Sequence, residues 1–313
     1  MHVRIGNFNL NNLFSRWNFK GELAKNESGH GYHVERGDGD WVRKFDGGIV
    51  LPKPETAVAR IAERIKAADP DVLAVEEVED RETLRKFNEE HLGGVYSECI
   101  LVEGNDERGI DVGILSKLPI GEINSYQRER HDKLPGEPVY RRDLLLVEVL
   151  SPDRRKRLLW VGVTHFKSQF IDWRIKDEAE RQKAAEEASR LRLYEAEMTA
   201  NILRRCTYEE RFVLCGDLND VPDSEALTPL LGRHGRQAGL VNVLAERQGN
   251  ELERWTVTHK ETGEERQFDQ YDYLLVPEFM SDAVTKAWVQ RRSTGHCEPD
   301  GSDHDPVFCE LVL

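Results

Sequence analysis

Four consecutive apolar residues, Val72-Leu73-Ala74-Val75, run directly into Glu76-Glu77-Val78-Glu79-Asp80. A continuous apolar run of this kind reads as a strand buried on both faces, which needs cover on either side of its sheet. The cover precedes it. Over residues 55–68, Val58, Ile61, Ala62 and Ile65 share one helical face with charge opposite, and Asp69-Pro70-Asp71 stops the helix before the strand begins. Helix, Asp-Pro turn, buried strand and acidic end form an α/β unit. A carboxylate at the C-terminal end of such a strand stands where these sheets place ligands.

Other apolar runs end in the same kind of polar group. Residues 3–10 read as a strand that delivers Asn7-Phe8-Asn9-Leu10-Asn11-Asn12. Residues 158–163 run into Thr164-His165-Phe166-Lys167-Ser168, and residues 211–215 into Gly216-Asp217-Leu218-Asn219-Asp220. At the far end Gly301-Ser302-Asp303-His304-Asp305-Pro306 leads into a last apolar strand. Each feature has a plainer reading. Asparagines at strand ends also form turns, and an Asp-His pair before a proline also suits a surface turn.

The intervening chain reads as a helix at 81–91 and strands at 95–102, 109–116 and 144–150. A long amphipathic helix at 175–205 carries Leu191, Tyr194, Met198 and Ile202 on one stripe, and its charges read as a solvated face. Residues 253–276 read as a hairpin whose second strand is Tyr271-Asp272-Tyr273-Leu274-Leu275-Val276. Asp111 lies inside an apolar strand, where a buried carboxylate needs a partner. A neighbouring histidine or exposure on an edge strand would each satisfy it. Arg142 suits a phosphate clamp or an ordinary surface ion pair.

With no internal repeat, low-complexity tract or linker, residues 1–313 are expected to form a single domain. A long loop insertion at about 15–54 carries Trp17, His30, His33 and Trp41, and reads either as a substrate rim or as a surface excursion. Lys plus Arg number 44 against 58 Asp plus Glu, a net charge of −14. That argues against gripping polyanions by bulk charge. It leaves room for a phosphate-cleaving enzyme, because bound divalent cations supply local positive charge. No apolar run reaches membrane-spanning length, so no membrane association is expected. The first residues enter a strand without a signal-peptide pattern, which gives a cytoplasmic expectation. Cys99, Cys206, Cys215, Cys297 and Cys309 lack metal-type spacing and read as reduced thiols, mostly core filler.

Collected, the strand ends carry Asn9, Glu77, His165, Asp217 with Asn219, and Asp303 with His304. Carboxylates and amides suit a hard cation, two imidazoles accompany them, and no serine or cysteine nucleophile stands at a sharp turn. The set suits attack by water on a phosphorus ester with Mg²⁺ or Mn²⁺. It does not suit zinc, which would want more histidine or cysteine.

In order along the chain, Phe8-Asn9-Leu10-Asn11-Asn12-Leu13-Phe14, Asp71-Val72-Leu73-Ala74-Val75-Glu76-Glu77-Val78, Thr164-His165-Phe166-Lys167-Ser168, Gly216-Asp217-Leu218-Asn219, Tyr271-Asp272-Tyr273-Leu274-Leu275-Val276 and Gly301-Ser302-Asp303-His304-Asp305-Pro306-Val307 resemble the motifs of the endonuclease/exonuclease/phosphatase superfamily. The opening stretch and the region from Trp255 to Val276 look most like bacterial extracellular-nuclease-like members. The resemblance implies an α/β fold, a four-layer α/β sandwich of two mixed β-sheets packed face to face with helices outside. It implies Glu77 as metal ligand, with Asn9 and Asp303 near the metal. Asp217 would orient or deprotonate the attacking water, Asn219 would contact phosphate, and His304, held by Asp272, would bond the scissile phosphate. His165 matches a second histidine that serves as an acid in some branches. Asn11, Arg142, Lys167, Ser168 and Asp111 are expected around the substrate. Two departures stand out: Glu76 occupies a position that is glutamine in many members, and Asn11 one that is Asp or Glu.

The expectation is a divalent-metal-dependent phosphodiester hydrolase, a nuclease acting on DNA or RNA with no obligate protein partner. The alternatives are a phosphomonoesterase, a lipid or inositol phosphate hydrolase, or a catalytically silent binding module on the same scaffold.

Overall fold

The computed structural model describes residues 1–15, 23–25, 32–34, 52–106, 108–172, 175–206, 210–231, 239–259, 265–292 and 300–313. The readings placed on Trp17, His30, Trp41 and Cys297 lie outside the described residues.

Two six-stranded mixed sheets form the body. The first has the order β15 (Val284–Val289), β16 (Val307–Val312), β1 (His2–Leu13), β4 (Val72–Val78), β6 (Asp111–Ser116), β5 (Glu98–Leu101). The second has the order β11 (Leu240–Asn242), β14 (Asp272–Pro277), β10 (Phe212–Asp217), β9 (Arg157–His165), β8 (Leu144–Leu150), β7 (Ile120–Ser125). Two further two-stranded sheets are formed by β2 (Leu23–Lys25) with β3 (Tyr32–Val34) and by β12 (Val257–His259) with β13 (Gln267–Asp269). The helices are α1 (Glu55–Ala68), α2 (Arg81–His91), α3 (Glu178–Cys206), α4 (Thr228–Leu231) and α5 (Val243–Arg247).

Three apolar clusters define four layers. The central one joins the facing sides of both sheets, with Val3, Ile5, Val72 and Ala74 against Val161, Val163, Val213 and Leu274. A second packs Ile61 and Ile65 of α1 and Leu84 of α2 onto the outer face of the first sheet, at Phe8, Leu73 and Val75. A third packs Tyr194, Ala200 and Ile202 of α3 onto the outer face of the second, at Trp160, Leu214 and Tyr273. Helix ends are closed locally. Asp80 caps α2 by accepting the amide of Thr83 at 2.7 Å, and Asp69 ends α1 in the left-handed conformation. Among the described residues no helix is long and apolar enough to cross a membrane.

The side-chain period of two along a strand explains where the polar groups go. Val3 and Ile5 face the central core, so Asn7 and Asn9 continue the same face. In the same way Val72 and Ala74 lead to Glu76, Val161 and Val163 to His165, Val213 and Cys215 to Asp217, and Val276 and Leu274 to Asp272. Five inward-facing rows change from apolar to polar at one edge of the sandwich. The inter-sheet core is capped there by amides, carboxylates and an imidazole.

The expected hairpin at 253–276 is corrected. The chain from β12 returns through β13, while residues 272–277 form β14 and pair with β10 and β11 in the second sheet. Every residue of β14 is buried, which a two-stranded surface hairpin could not provide. Of the cysteines, Cys215 and Cys309 are fully buried in the central core, and Cys99 is half-buried.

Candidate active site

The backbone of β4 separates its two adjacent glutamates. Glu77 has φ +58, and the pairing of β4 shifts register between Val75 and Val78. The irregularity re-aims one side chain. Glu76 stays on the inward face, fully buried, while Glu77 is half-buried and accepts the amide of Asn12 at 3.0 Å. Asn11, Asn12 and Asn219 also have positive φ, so four of the six such non-glycine residues described belong to the site loops. Strain of this kind concentrates at functional sites. Gly301, at φ +84, opens the last loop, where a Cβ would stand 2.4 Å from the carbonyl oxygen of Ala57.

Asp217 sits at the centre. Its Oδ2 accepts Asn9 Nδ2 at 3.0 Å, and its Oδ1 accepts the backbone amide of Asn219 at 2.9 Å. Two imidazoles face Oδ2, with His165 Nε2 at 3.5 Å and His304 Nε2 at 3.8 Å. Burial raises the Asp217 carboxyl to about 7, against the pull of His304. The other ring nitrogen of His304, Nδ1, lies 2.7 Å from Asp272 Oδ2. Burial disfavours the charged imidazole of His304, but Asp272 and Asp217 more than offset it and hold its pKa well above the ordinary histidine value. His165 is the opposite case. Burial, then Arg142 and His304, push its pKa well below the ordinary value. The charged form is therefore favoured for one imidazole and disfavoured for the other, on the two sides of one carboxylate.

A second group lies at Glu77 and Asp303. Asn11 Nδ2 donates to Asp303 Oδ1, and Lys53 Nζ donates to the carbonyl of Asn11. The Lys53 ammonium is destabilised by burial and supported by Asp303 and Glu77, so both carboxylates bear on one cationic position. Two half-buried oxygen-donor carboxylates fit Mg²⁺ or Mn²⁺, which use one or two protein carboxylates and complete their shell with water and substrate phosphate. They do not fit an all-protein cage. Among the described residues no three His, Cys, Asp or Glu side chains are arranged to hold an ion.

The loops are fixed from behind. Ser302 Oγ donates to the carbonyl of Asn9 at 2.7 Å and accepts the amide of His304. Asp305 is fully buried and receives Arg64 at 2.6 Å and Arg292 at 3.2 Å. Thr256 Oγ1 accepts the amides of Tyr271 and Asp272, each at 3.0 Å. Lys53, Arg64, Ser302 and Thr256 escaped the sequence reading. Ser302 lies inside the last motif and Thr256 inside the Trp255 to Val276 region, but the sequence assigns neither a role.

Several expected site residues stand differently from the expectation. Asn9 is turned to Asp217, and its Oδ1 accepts the Asn11 amide at 2.9 Å. Asn219 donates its side-chain amide to the carbonyl of Phe166 at 3.0 Å. Arg142 is neither a surface pair nor an exposed clamp. It is 2% exposed, with Nη1 on the carbonyl of Phe166 at 3.2 Å and Nε 3.1 Å from Asp106 Oδ2, an ion pair without hydrogen-bond alignment. Asp111 has no edge exposure and bonds no histidine. It is buried on β6, one strand in from the edge, and accepts the amide of Gly104 at 2.7 Å. It fixes the loop that carries Asp106 to Arg142. Burial raises its carboxyl to about 6. Lys167 is partly buried near Arg142, with its amide on Glu195 Oε2, and Ser168 beside it is half-buried.

Glu76 has no counterpart to these bonds. It is fully buried, and neither carboxylate oxygen has a hydrogen-bond partner. Burial, followed by the nearby Asp272 and Asp217, raises its pKa well above the usual carboxylate range.

A sandwich with carboxylates, amides and two imidazoles at one sheet edge is the arrangement of a class of metal-dependent phosphoester hydrolases. The sequence matches the Endonuclease/Exonuclease/phosphatase family over residues 8–304, and the chain belongs to that family. Enzymes of this family are generally divalent-metal dependent. Solved structures with the same fold include truncated TDP2 from Caenorhabditis elegans, 15% identical, covering 100% of this chain and 98% of that one at a TM-score of 0.61. An AP endonuclease from Archaeoglobus fulgidus is 14% identical, covering 99% and 100% at a TM-score of 0.60. TDP2 from D. rerio, complexed with single strand DNA product, is 14% identical, covering 100% and 99% at a TM-score of 0.59. No curated protein matches the sequence.

Proposed function

We propose that this chain is a phosphodiesterase that hydrolyses nucleic acid with Mg²⁺ or Mn²⁺. The observation that carries the reading is the placement of Asp217 between two imidazoles, with His304 Nε2 at 3.8 Å and His165 Nε2 at 3.5 Å from its Oδ2. A carboxylate with a pKa of about 7 is matched to removing a proton from water at neutral pH. The hydroxide so formed attacks phosphorus, the bond to the leaving oxygen breaks on the opposite side, and that oxygen takes up a proton from water. His304 Nε2, its ring held by Asp272 through Nδ1, presents a charged N–H to a phosphate oxygen, where it stabilises the developing charge. Burial lowers the His165 pKa, which favours the neutral ring as a hydrogen-bonding partner of Asp217 Oδ2, 3.5 Å away. Asn9 and the amide of Asn219 hold Asp217 in line. Glu77 and Asp303 would hold the cation, which supplies electrostatic stabilisation to the phosphate when bound.

Nucleic acid is favoured as substrate because fold relatives include an AP endonuclease and a TDP2 bound to a single strand DNA product. The test is an activity screen with Mg²⁺ or Mn²⁺ over plasmid, single strands, abasic duplex, RNA, sphingomyelin and inositol phosphates, with Glu77→Gln as control. Cleavage of at least one nucleic acid, lost in the control, is expected. Turnover of a small phosphomonoester with no cut in any DNA or RNA would replace this reading with a phosphatase.

A further inference from the structure

The long helix α3 carries charges that its sequence reads as a solvated face, yet two of them are buried. Arg192 is 5% exposed and Glu195 1%. Three residues apart, they share one side of the helix. That side meets the loops leaving β9 and β10.

β9 and β10 pair in register as far as His165 and Asp217. The amide of Phe166 makes one more bond, to the carbonyl of Asp217 at 3.0 Å. Beyond it the two chains leave the ladder, and side chains take over. Glu195 Oε2 accepts the amide of Lys167 at 2.7 Å, and Arg192 Nη1 donates to the carbonyl of the same residue at 3.2 Å. Arg192 Nε reaches the other loop and donates to Asp220 Oδ2 at 2.8 Å. The loops are further joined by Gln169 Nε2 on the carbonyl of Asn219 at 2.9 Å and by Asn219 Nδ2 on that of Phe166. The helix thus holds both polar groups of the Lys167 main chain and one side chain of the Asp217 loop.

Stability alone does not ask for this arrangement. Replacing a buried ion pair with apolar residues of similar volume is often neutral or stabilising. An apolar side chain, however, cannot accept an amide or donate to a carbonyl that has left the ladder. We infer that Arg192 and Glu195 are positioning residues for hydrolysis, clamping the loops after His165 and Asp217 and so setting the 3.5 Å approach of the His165 ring to the Asp217 carboxylate. They act through these loops and not on the substrate. The inference rests on the hydrolytic reading of the site and adds which residues behind it fix its geometry.

Glu195→Met removes the acceptor at similar volume. With the substrate cut in the activity screen, kcat and kcat/KM should fall together by about 10-fold or more, as a small misplacement of reacting groups costs. Glu195→Gln keeps an acceptor oxygen and should restore most of the rate. Arg192→Lys keeps a charge opposite Asp220 but lacks the fork that reaches both loops, and it should lose rate as Glu195→Met does. Thr199→Val is the control, since Thr199 is buried one turn further along α3 with Tyr140 Oη as its partner at 2.8 Å. It should lower the melting temperature without changing kcat. In proton–nitrogen spectra of the metal-free proteins, the ring signals of His165 should shift in Glu195→Met and Arg192→Lys and stay in place in Thr199→Val. An unchanged kcat in Glu195→Met, no recovery in Glu195→Gln, or an equal loss in Thr199→Val would overturn the clamp. If Glu195→Met does not fold, Arg192→Lys and Glu195→Gln are judged by the same comparison. Ring shifts in a protein that cuts no phosphodiester would sink the hydrolytic reading and leave the loop clamp standing.

Discussion

Asp272 Oδ2 lies 2.7 Å from His304 Nδ1, and its Oδ1 lies 3.4 Å from the side-chain amide of Asn7. The pair spans the gap between the sheets, with Asp272 on β14 of one and His304 on the loop entering β16 of the other. The inward row of β14 ends in this carboxylate, so its bond to the histidine is also what makes its burial tolerable.

Asp272→Asn keeps the shape and removes the charge that supports the imidazolium of His304. Activity should fall by about 10²-fold or more, as when a preorganised electrostatic group is lost. Far-ultraviolet circular dichroism should be unchanged. Steady-state kinetics within a few-fold of wild type would show that the pair has no catalytic role.

Lys53 sets up a test of the cation site. Its ammonium is stabilised by Asp303 and Glu77, so Lys53→Met should leave two carboxylates repelling each other. The metal-free variant should melt below wild type, and Mn²⁺ should raise its melting temperature more than it raises wild type's, since a ligand bound only to the native state stabilises it. EDTA should abolish turnover in both proteins. An identical Mn²⁺ response would place the cation elsewhere.

Glu76 gives a pH signature of stability in the metal-free protein. Its folded pKa stands well above 4.5, so the native state keeps a proton that the unfolded chain has lost. Stability attributable to this group therefore falls as pH rises above about 4.5 and stops falling beyond the folded pKa. Glu76→Gln removes that dependence. Its gain in melting temperature over wild type should grow between pH 5 and 7, and a constant offset would show that Glu76 is ionised in the fold.

Asp217 must lose its proton to act as a base, and its carboxyl stands at about 7 without a cation. A bound cation lowers that value. The rate should therefore rise with pH along a limb whose midpoint lies at or below about 7, and Asp217→Asn should lose both the limb and at least about 10²-fold in rate. A rate that falls from pH 5 to 7 would exclude this role.

Much of this was legible because period-2 apolar rows and helical stripes survive without tertiary context. The helices at 55–68 and 81–91 and the strand at 144–150 coincide with α1, α2 and β8. Asp217, His165 and Asp272 stand out because each ends or interrupts such a row. β7 escaped because only Ile120 of its six residues is buried, which leaves no row to read. Arg64 sits among the charges of an amphipathic helix, yet it is 6% exposed and spans to Asp305 and the carbonyl of Gln290. Lys53 lies in an unpatterned stretch, and its meaning depends on Glu77 and Asp303 arriving from opposite halves of the chain.

The pairing of β1 with β16 joins His2 to Val312 and Asn7 to Val307, and β16 lies between β1 and β15 rather than at an edge. The strand that brings in His304 is therefore a keystone of the first sheet. Its docking closes a loop of almost the whole sequence, the slowest kind of contact to form. A partly folded chain without that strand holds Asp217 beside His165 but lacks His304 opposite them, and its hydrolytic activity should appear only once the strand is seated.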